Sequence, residues 1–335
     1  LNKTGLEVFE LAGVEPNPRH TTVNKGAEIC KKENIDVLLA VGGGSTIDCT
    51  KAISAAAFYD GDGWDLVLGK ATVTKALPIV TVLTLSATGS EMDPGAVISN
   101  IETNDKYAII HPLLQPKVSF LDPTNTYSVS AFQTACGGAD ILSHIFDISY
   151  FTNAPKMDMI DKVMEAVIKT VVKYTPVAVG EPNNYEARAN LMWASSWALN
   201  GFLSTGAMQA ASCHMMEHEL SAFYDITHGL GLAILTPRWM EYILDETNAK
   251  DFKKFGVNVF GVEANLSEME GAKQAIAALS DFLFNKLGLQ STLTELGIDD
   301  KNFKVMAEKA CAGTVLHGFK VLKPADVEKI YRMCL

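Results

Sequence analysis

The chain has 335 residues, 48% of them apolar, with 39 acidic against 28 basic side chains and a net charge of -11. That length suits two cores rather than one, and the acidic balance excludes the cationic face that nucleic acid or an anionic membrane surface requires. No apolar run approaches the roughly 20 residues of a membrane-spanning helix, no basic-then-apolar leader is seen, and the six cysteines are scattered without a C-x-x-C pair, so a soluble, cytoplasmic protein with reduced thiols is expected.

Leu6 to Ala12 alternates and predicts a strand, ended by Gly13-Val14-Glu15-Pro16-Asn17-Pro18. Thr21 and Thr22 predict the cap of a helix carrying Val23, Ala27, Ile29 and Cys30. The run Asp36 to Val41 has the character of a strand buried on both faces of a parallel sheet. It leads into Gly42-Gly43-Gly44-Ser45 and an alanine-rich helix from Thr46 to Tyr59. A strand, a glycine turn and a helix N-terminus together can hold a phosphate on backbone N–H groups. The turn spells neither G-x-G-x-x-G nor Gly-Lys-Ser/Thr, and a tight turn with no ligand has the same spelling. Asp48 and Lys51, in the first turns of that helix, can serve a ligand or packing.

Asp60 to Trp64 is a loop, and Leu77 to Thr84 a second buried strand breaking into Leu85-Ser86-Ala87-Thr88-Gly89-Ser90-Glu91. Two successive strands thus end in loops able to line one crevice, where open parallel sheets bind ligands. Gly95 to Asn100 and Lys106 to Ile110 predict a hairpin, and Lys117 to Leu121 a last strand stopped by Asp122-Pro123.

Beyond Pro123 the spacing turns helical, near 128–151, 155–178, 184–203, 206–223, 228–245, 268–287 and 301–312, with breakers at Pro155, Gly180-Glu181-Pro182, Gly206, Pro237 and Gly288. An α/β nucleotide-type domain over 1–123 and an all-helical domain over 124–335 are therefore expected, with the active site in the cleft between them. The helical half carries two i, i+4 pairs in apolar surroundings, Asp140 with His144 and His214 with His218, and His228 follows a break near Tyr224-Asp225 with Thr227 placed to cap the next helix. An Asp there is costly to bury unless a cation or hydrogen bonds compensate it. Asp with neutral imidazoles makes a borderline N/O set suited to Fe(II) or Zn(II). Spacing alone pairs His214 with His218 as ligands. It equally fits a helix-face hydrogen bond, or the H-x-x-E-H pattern of inverted zinc peptidases with Glu217 activating water.

Gly42 to Lys51, Ser86 to Glu91, Phe120-Leu121-Asp122-Pro123, Gly138-Ala139-Asp140 with His144, and His214, His218 and His228-Gly229 follow one another along almost the whole chain. In that order they resemble the iron-containing, or group III, alcohol dehydrogenases, close to the butanol-dehydrogenase-like branch. The resemblance implies a Rossmann-like parallel-sheet domain followed by an all-α domain. It implies a metal held by Asp140, His144, His214 and His228, with His218 near metal and nicotinamide, either as a proton relay or hydrogen-bonded to a ligand. It further implies that Gly43, Gly44 and Ser45 hold the cofactor pyrophosphate, that Asp48 lies nearby, that Thr84 and Thr88 touch the cofactor, and that Lys106 reaches it. The activity expected is reversible hydride transfer between a primary alcohol and its aldehyde, with Fe(II) or Zn(II), NADP(H) rather than NAD(H), and a homodimer as the assembly. The family's opening strand-loop-helix unit, which bears on NADP against NAD, is expected to be absent or cut away here. Rival readings are the zinc peptidase, a dehydroquinate-synthase-like metal-dependent lyase, and an inactive nucleotide-binding regulator, which would need a broken ligand set.

Overall fold

A computed structural model describes residues 2–155, 157–205 and 211–335. Helix α1 (His20–Lys32) precedes β1 (Leu38–Gly42), α2 (Gly44–Ala56), the short α3 (Gly63–Val67) and β2 (Ile79–Leu83); β3 (Gly95–Asn100), β4 (Asp105–Ile110) and β5 (Val118–Phe120) follow. β1, β2 and β5 form a parallel sheet in the order β1-β2-β5, with Ala40 beside Thr81 and Thr81 beside Ser119, while β3 and β4 form the expected hairpin. Helices α1 and α2 and the hairpin share a core of Val23, Ala27, Ala52, Ile53, Ile98 and Ile109.

The rest is helical: α4 (Ala131–His144) continuing into a wider turn over Ile145–Tyr150, α5 (Asp158–Gly180), α6 (Tyr185–Leu199), α7 (Ser212–Tyr224), α8 (His228–Ile243), α9 (Ala249–Phe255), α10 (Glu268–Ser280), α11 (Phe303–Ala310) and α12 (Pro324–Met333). Its core runs from α4 through α8 to α12, with Phe146, Leu220, Trp239, Phe252, Phe282 and Tyr331 almost wholly buried. None of the described helices is long and apolar enough to cross a membrane.

Several expectations are corrected. Residues 6–15 hold no regular secondary structure and join no sheet among the described residues, and Leu6, Val8 and Phe9 stay exposed; alternation makes a strand only where a neighbour completes its ladder. The parallel strands are covered on one face only, since Leu39, Val41, Val118 and Phe120 are exposed on the other. Pro237 lies inside α8 rather than ending it; the surrounding burial of Leu235, Thr236, Trp239 and Met240 holds the helix through the missing N–H. Arg19, not Thr21 or Thr22, stands at the start of α1, because the Thr22 hydroxyl donates to Glu15 instead. Thr227 does precede α8, but its side chain makes no capping bond. Three α-helices went unread, α3, α9 and α12, each of ten residues or fewer, too short for a periodic signal; α3 takes Gly63 and Trp64 from the loop expected over Asp60 to Trp64, with Asp62 accepting from Trp64 N as its cap. Of the segment expected over 206–223, residues 206–210 lie outside the described residues.

Candidate metal centre and cofactor crevice

Asp140 and His144 stand one turn apart on α4, His214 on the first turn of α7, and His228 is the first residue of α8. α4 can pack closely on its neighbours because it carries glycine where they touch it: a Cβ on Gly138 would meet the Thr175 side chain at 2.6 Å, and one on Gly229 of α8 would lie 2.2 Å from the Cys136 carbonyl oxygen. The helices therefore bring four side chains to one point. Asp140 Oδ1 is 3.5 Å from His144 Nδ1, 3.9 Å from His214 Nε2 and 3.7 Å from His228 Nε2. His144 and His214 stack with ring centroids 4.5 Å apart.

Asp140 Oδ1, His144 Nδ1 and His214 Nε2 are buried and have no hydrogen-bond partner among the described residues. Orphaned buried polar atoms are rare in native proteins, and three converging from separate turns of two helices have a reason if a cation sits among them. One carboxylate oxygen and imidazole nitrogens are the donor set that Fe(II) or Zn(II) accepts. The residues present fit the group.

The other nitrogens are already used. Asp147 Oδ2 accepts from the His214 backbone N–H at 2.9 Å and lies 3.1 Å from its Nδ1, and Glu217 Oε2 contacts Nδ1 of His228. A carboxylate behind a ligating imidazole fixes tautomer and ring direction together. Neither supporting residue was read from the sequence in this role. Asp147 was visible only as one more carboxylate three residues beyond His144 in an apolar run.

The charges follow from burial and neighbours. Burial pushes Asp140 upward, yet the three histidines around it outweigh that and hold its carboxyl well below the usual range. Burial lowers His144 to about 3, so this ring is neutral and its lone pair free. Burial acts to lower His214 as well, but Asp140 and Asp147 raise it to about 9. His218, buried near Lys106 and His228, is held well below its ordinary value, and its Nδ1 has no partner among the described residues. His218 does not join the Asp140 group; its ring lies 5.8 Å from that of His228. The peptidase reading needs Glu217 facing water, whereas this carboxylate is fully buried and taken up by His228, Ser221 and Lys106.

On the α/β side, Gly43 precedes α2, and Gly44 and Ser45 are its first residues, with no side-chain cap and no acidic residue in the first turn. Their N–H groups are therefore open to an anion. A Cβ on Gly44 would meet the Thr88 hydroxyl at 2.4 Å, and Thr84 N donates to Gly42 O at 3.0 Å, so the two loops lie side by side. The second loop also touches α4: a Cβ on Gly137 would lie 2.3 Å from Ser86 O. Gly137 is one turn before Asp140, which joins the glycine turn to the centre.

Two candidates are tied into the protein by their own contacts. Both Asp48 oxygens are occupied, accepting from Ser90 Oγ at 2.6 Å and from Val97 N at 2.9 Å, and burial raises the group to about 6. It braces α2 against the second loop. Lys106 is buried, with its amine 3.0 Å from Asn17 Oδ1 and 3.4 Å from both Glu217 Oε2 and His228 Nδ1, on the metal side. Lys51, left open between ligand and packing, packs: its amine is buried on Asp93 and the Gly95 carbonyl.

Glu219, next to His218 on α7, turns away toward the hairpin, where Lys309 joins it to Asp105. Burial raises it to about 7, Lys309 opposing the shift. Because its folded value exceeds its ordinary value, its stabilising contribution is complete at low pH and is lost as pH rises through about 7. Glu219→Gln is therefore expected to match wild type near pH 4.5 and to be more stable by about 1–3 kcal/mol at pH 8, read from urea unfolding at both pH values. An equal difference at both would contradict the assignment.

The family model described as iron-containing alcohol dehydrogenase matches residues 1–123, and that of the C-terminal part of the Fe-containing alcohol dehydrogenase family matches 134–335. The chain is 50% identical to NADH-dependent butanol dehydrogenase A of Clostridium acetobutylicum, over 99% of this chain and 85% of that protein. It is 36% identical to the NADPH-dependent aldehyde reductase YqhD of Escherichia coli, over 91% of this chain and 79% of that one. The solved NADH-dependent butanol dehydrogenase A of Thermotoga maritima superposes with a TM-score of 0.93 at 38% identity, covering 99% of this chain and 85% of that one.

Proposed function

The chain belongs to the iron-containing alcohol dehydrogenases and is an alcohol and aldehyde oxidoreductase working with a metal and a nicotinamide cofactor; we propose that it interconverts short primary alcohols such as butanol with their aldehydes, using NADH, at the Asp140 centre. What carries the site reading is the convergence of His144 Nδ1, His214 Nε2 and His228 Nε2 on Asp140 Oδ1, all within 3.9 Å. What supports the substrate class and NADH is four relatives, 44% to 50% identical, that are named or probable NADH-dependent butanol dehydrogenases. The sequence alone led to NADP(H), and the one relative named NADPH-dependent among those described is more distant, at 36%.

When bound, the cation supplies Lewis-acid polarisation of the substrate oxygen, and the nicotinamide supplies or accepts hydride. The residues do the rest. Asp140 would contribute one negative charge and the three imidazoles none, since His214 must give up the proton that Asp140 and Asp147 otherwise hold on it before it can ligate, so a divalent ion would keep a net positive charge toward the substrate. Asp147 and Glu217 keep the rings of His214 and His228 turned inward. Gly43, Gly44 and Ser45 offer N–H groups to the pyrophosphate, and Thr84 and Thr88 line the same turn. His218, neutral and with a nitrogen beside His228 that has no partner among the described residues, would carry the substrate proton toward solvent.

The location proposed is the cytoplasm, since six free buried thiols suit a reducing compartment. The assembly proposed is a homodimer, which requires the 36.2 kDa chain to sediment at about twice its mass. The activity test is oxidation of NADH and of NADPH by butanal after loading with Fe(II) or Zn(II). NADH is expected to be preferred at least about 10-fold in kcat/KM, about 1.4 kcal/mol. A preference for NADPH would reverse the cofactor choice; oxidation of neither, with metal and cofactor bound, would end the proposal.

A further inference from the structure

His214 and His228 are each backed by a carboxylate, but the two carboxylates are anchored differently. Asp147 belongs to the same stretch of helix as Asp140 and His144, so His214 is held entirely within the helical part. Glu217 is fully buried on α7 and meets Lys106, which comes from β4 of the α/β part. Lys106 in turn donates to Asn17 Oδ1 at 3.0 Å. Asn17 Nδ2 donates to Asp225 Oδ1 at 3.0 Å and Ile226 O at 3.3 Å, the turn that leads straight into His228. Both Asn17 and Asp225 hold left-handed backbone, at φ 52° and φ 50°, a conformation that Asn and Asp tolerate better than other side chains. Asn17 thus holds the backbone that delivers His228 directly, and the carboxylate behind the His228 ring through Lys106.

A neutral imidazole has one N–H and one lone pair, and the nitrogen facing an ionised carboxylate must carry the hydrogen. The ammonium of Lys106 and the hydroxyl of Ser221 both donate to Glu217, which keeps it an acceptor. Lys106 Nζ also lies 3.4 Å from His228 Nδ1, but it is shared with Asn17 and Glu217, and the Glu217 carboxylate is the closer partner; the hydrogen on Nδ1 therefore goes to Glu217, and Nε2, 3.7 Å from Asp140 Oδ1, is left with the lone pair facing the other ligands.

We propose that Glu217 is a positioning residue: braced by Lys106 and Asn17 of the α/β part, its carboxylate orients His228 as the fourth metal ligand, so that the cofactor-binding half sets the affinity of the metal centre in the other half. This rests on the metal reading of Asp140, His144, His214 and His228. It differs from the peptidase-like role the sequence suggested for Glu217, and it gives Lys106 a task at the metal.

The test is Co(II) alone, titrated into the full chain against a chelator, with the visible d–d spectrum reporting ligand geometry. Wild type is expected to take up one Co(II) per chain. Glu217→Ala is expected to bind about 10- to 100-fold more weakly, the usual effect of removing a partner behind a ligand, with an altered d–d band at saturating Co(II). Glu217→Gln keeps an oxygen for the Nδ1 proton and is expected to recover most of the loss. Asn17→Ala, which touches neither ligand nor metal, is expected to weaken binding several-fold, and the losses in Lys106→Met and Glu217→Ala are expected to be non-additive. Glu219→Gln, on the same helix but facing away, is expected to bind as wild type. Wild-type affinity and spectrum in Glu217→Ala and Asn17→Ala would overturn the proposal alone, as would a loss in Glu219→Gln equal to that in Glu217→Ala. Failure of wild type to bind Co(II) would overturn the metal reading and this inference with it. Should Glu217→Ala not fold, Glu217→Gln with Lys106→Met and Asn17→Ala decides the matter on the same two readouts.

Discussion

Asp140→Ala is expected to abolish stoichiometric metal and, with it, aldehyde reduction. Asp140 Oδ1 is the atom common to all three imidazole contacts and carries the only carboxylate in the group. Its loss removes both a ligand and the charge that offsets a divalent cation. Removing a residue behind a ligand weakens binding about 10- to 100-fold, so losing this ligand should exceed about 100-fold. The rate should fall by on the order of 10³-fold, because several kcal/mol of carbonyl polarisation goes with the cation and each 1.36 kcal/mol is tenfold. Asp140→Asn keeps the shape and separates this effect from misfolding. Metal content by atomic emission and single-turnover reduction of butanal check both; full metal occupancy in either variant would remove Asp140 from the ligand set.

Gly229→Ala is the second large effect, and it acts without touching a ligand. The new Cβ would lie 2.2 Å from the Cys136 carbonyl oxygen and 2.7 Å from its carbon, backbone atoms that cannot turn aside as a side chain could. α8 must then move off α4, at a cost of about 1–3 kcal/mol or more. The same displacement carries His228, one residue earlier, away from Asp140, one turn beyond Cys136. A lower Tm together with Zn(II) affinity reduced more than about 10-fold is expected. Gly180→Ala, where nothing lies within 4 Å of the added carbon, is the control and should change neither. Normal metal affinity in a destabilised Gly229→Ala would mean that the helix spacing does not set the ligand geometry.

Much of the α/β part was legible because its signals are local. Val37 to Val41 running into three glycines reads as a strand meeting a helix N-terminus, and the hairpin around Thr103-Asn104 has its own turn chemistry. Leu6 to Leu11 misled for the converse reason: the alternation was present, but a strand depends on a neighbour that the local sequence does not describe. Pro237 misled because burial around a helix, a non-local quantity, outweighs one lost hydrogen bond.

At the centre, helical periodicity by itself placed Asp140 with His144, and His214 with His218, on shared faces, since a spacing of four residues fixes that without any tertiary knowledge. Those faces and the donor types were determined by the sequence. Which imidazole of the second pair meets Asp140 was left open by spacing and named, as His214, only through the family resemblance; the physical reason lies in how α7 and α8 lie on α4, with His214 Nε2 within 3.9 Å and His218 left beside His228. The partners Asp147, Glu217, Lys106 and Asn17 were likewise settled by tertiary packing, because Lys106 and Glu217 are 111 residues apart along the chain and no local rule links residues so distant. Spacing along a helix fixes direction; only the packing of helices and loops fixes what each direction meets.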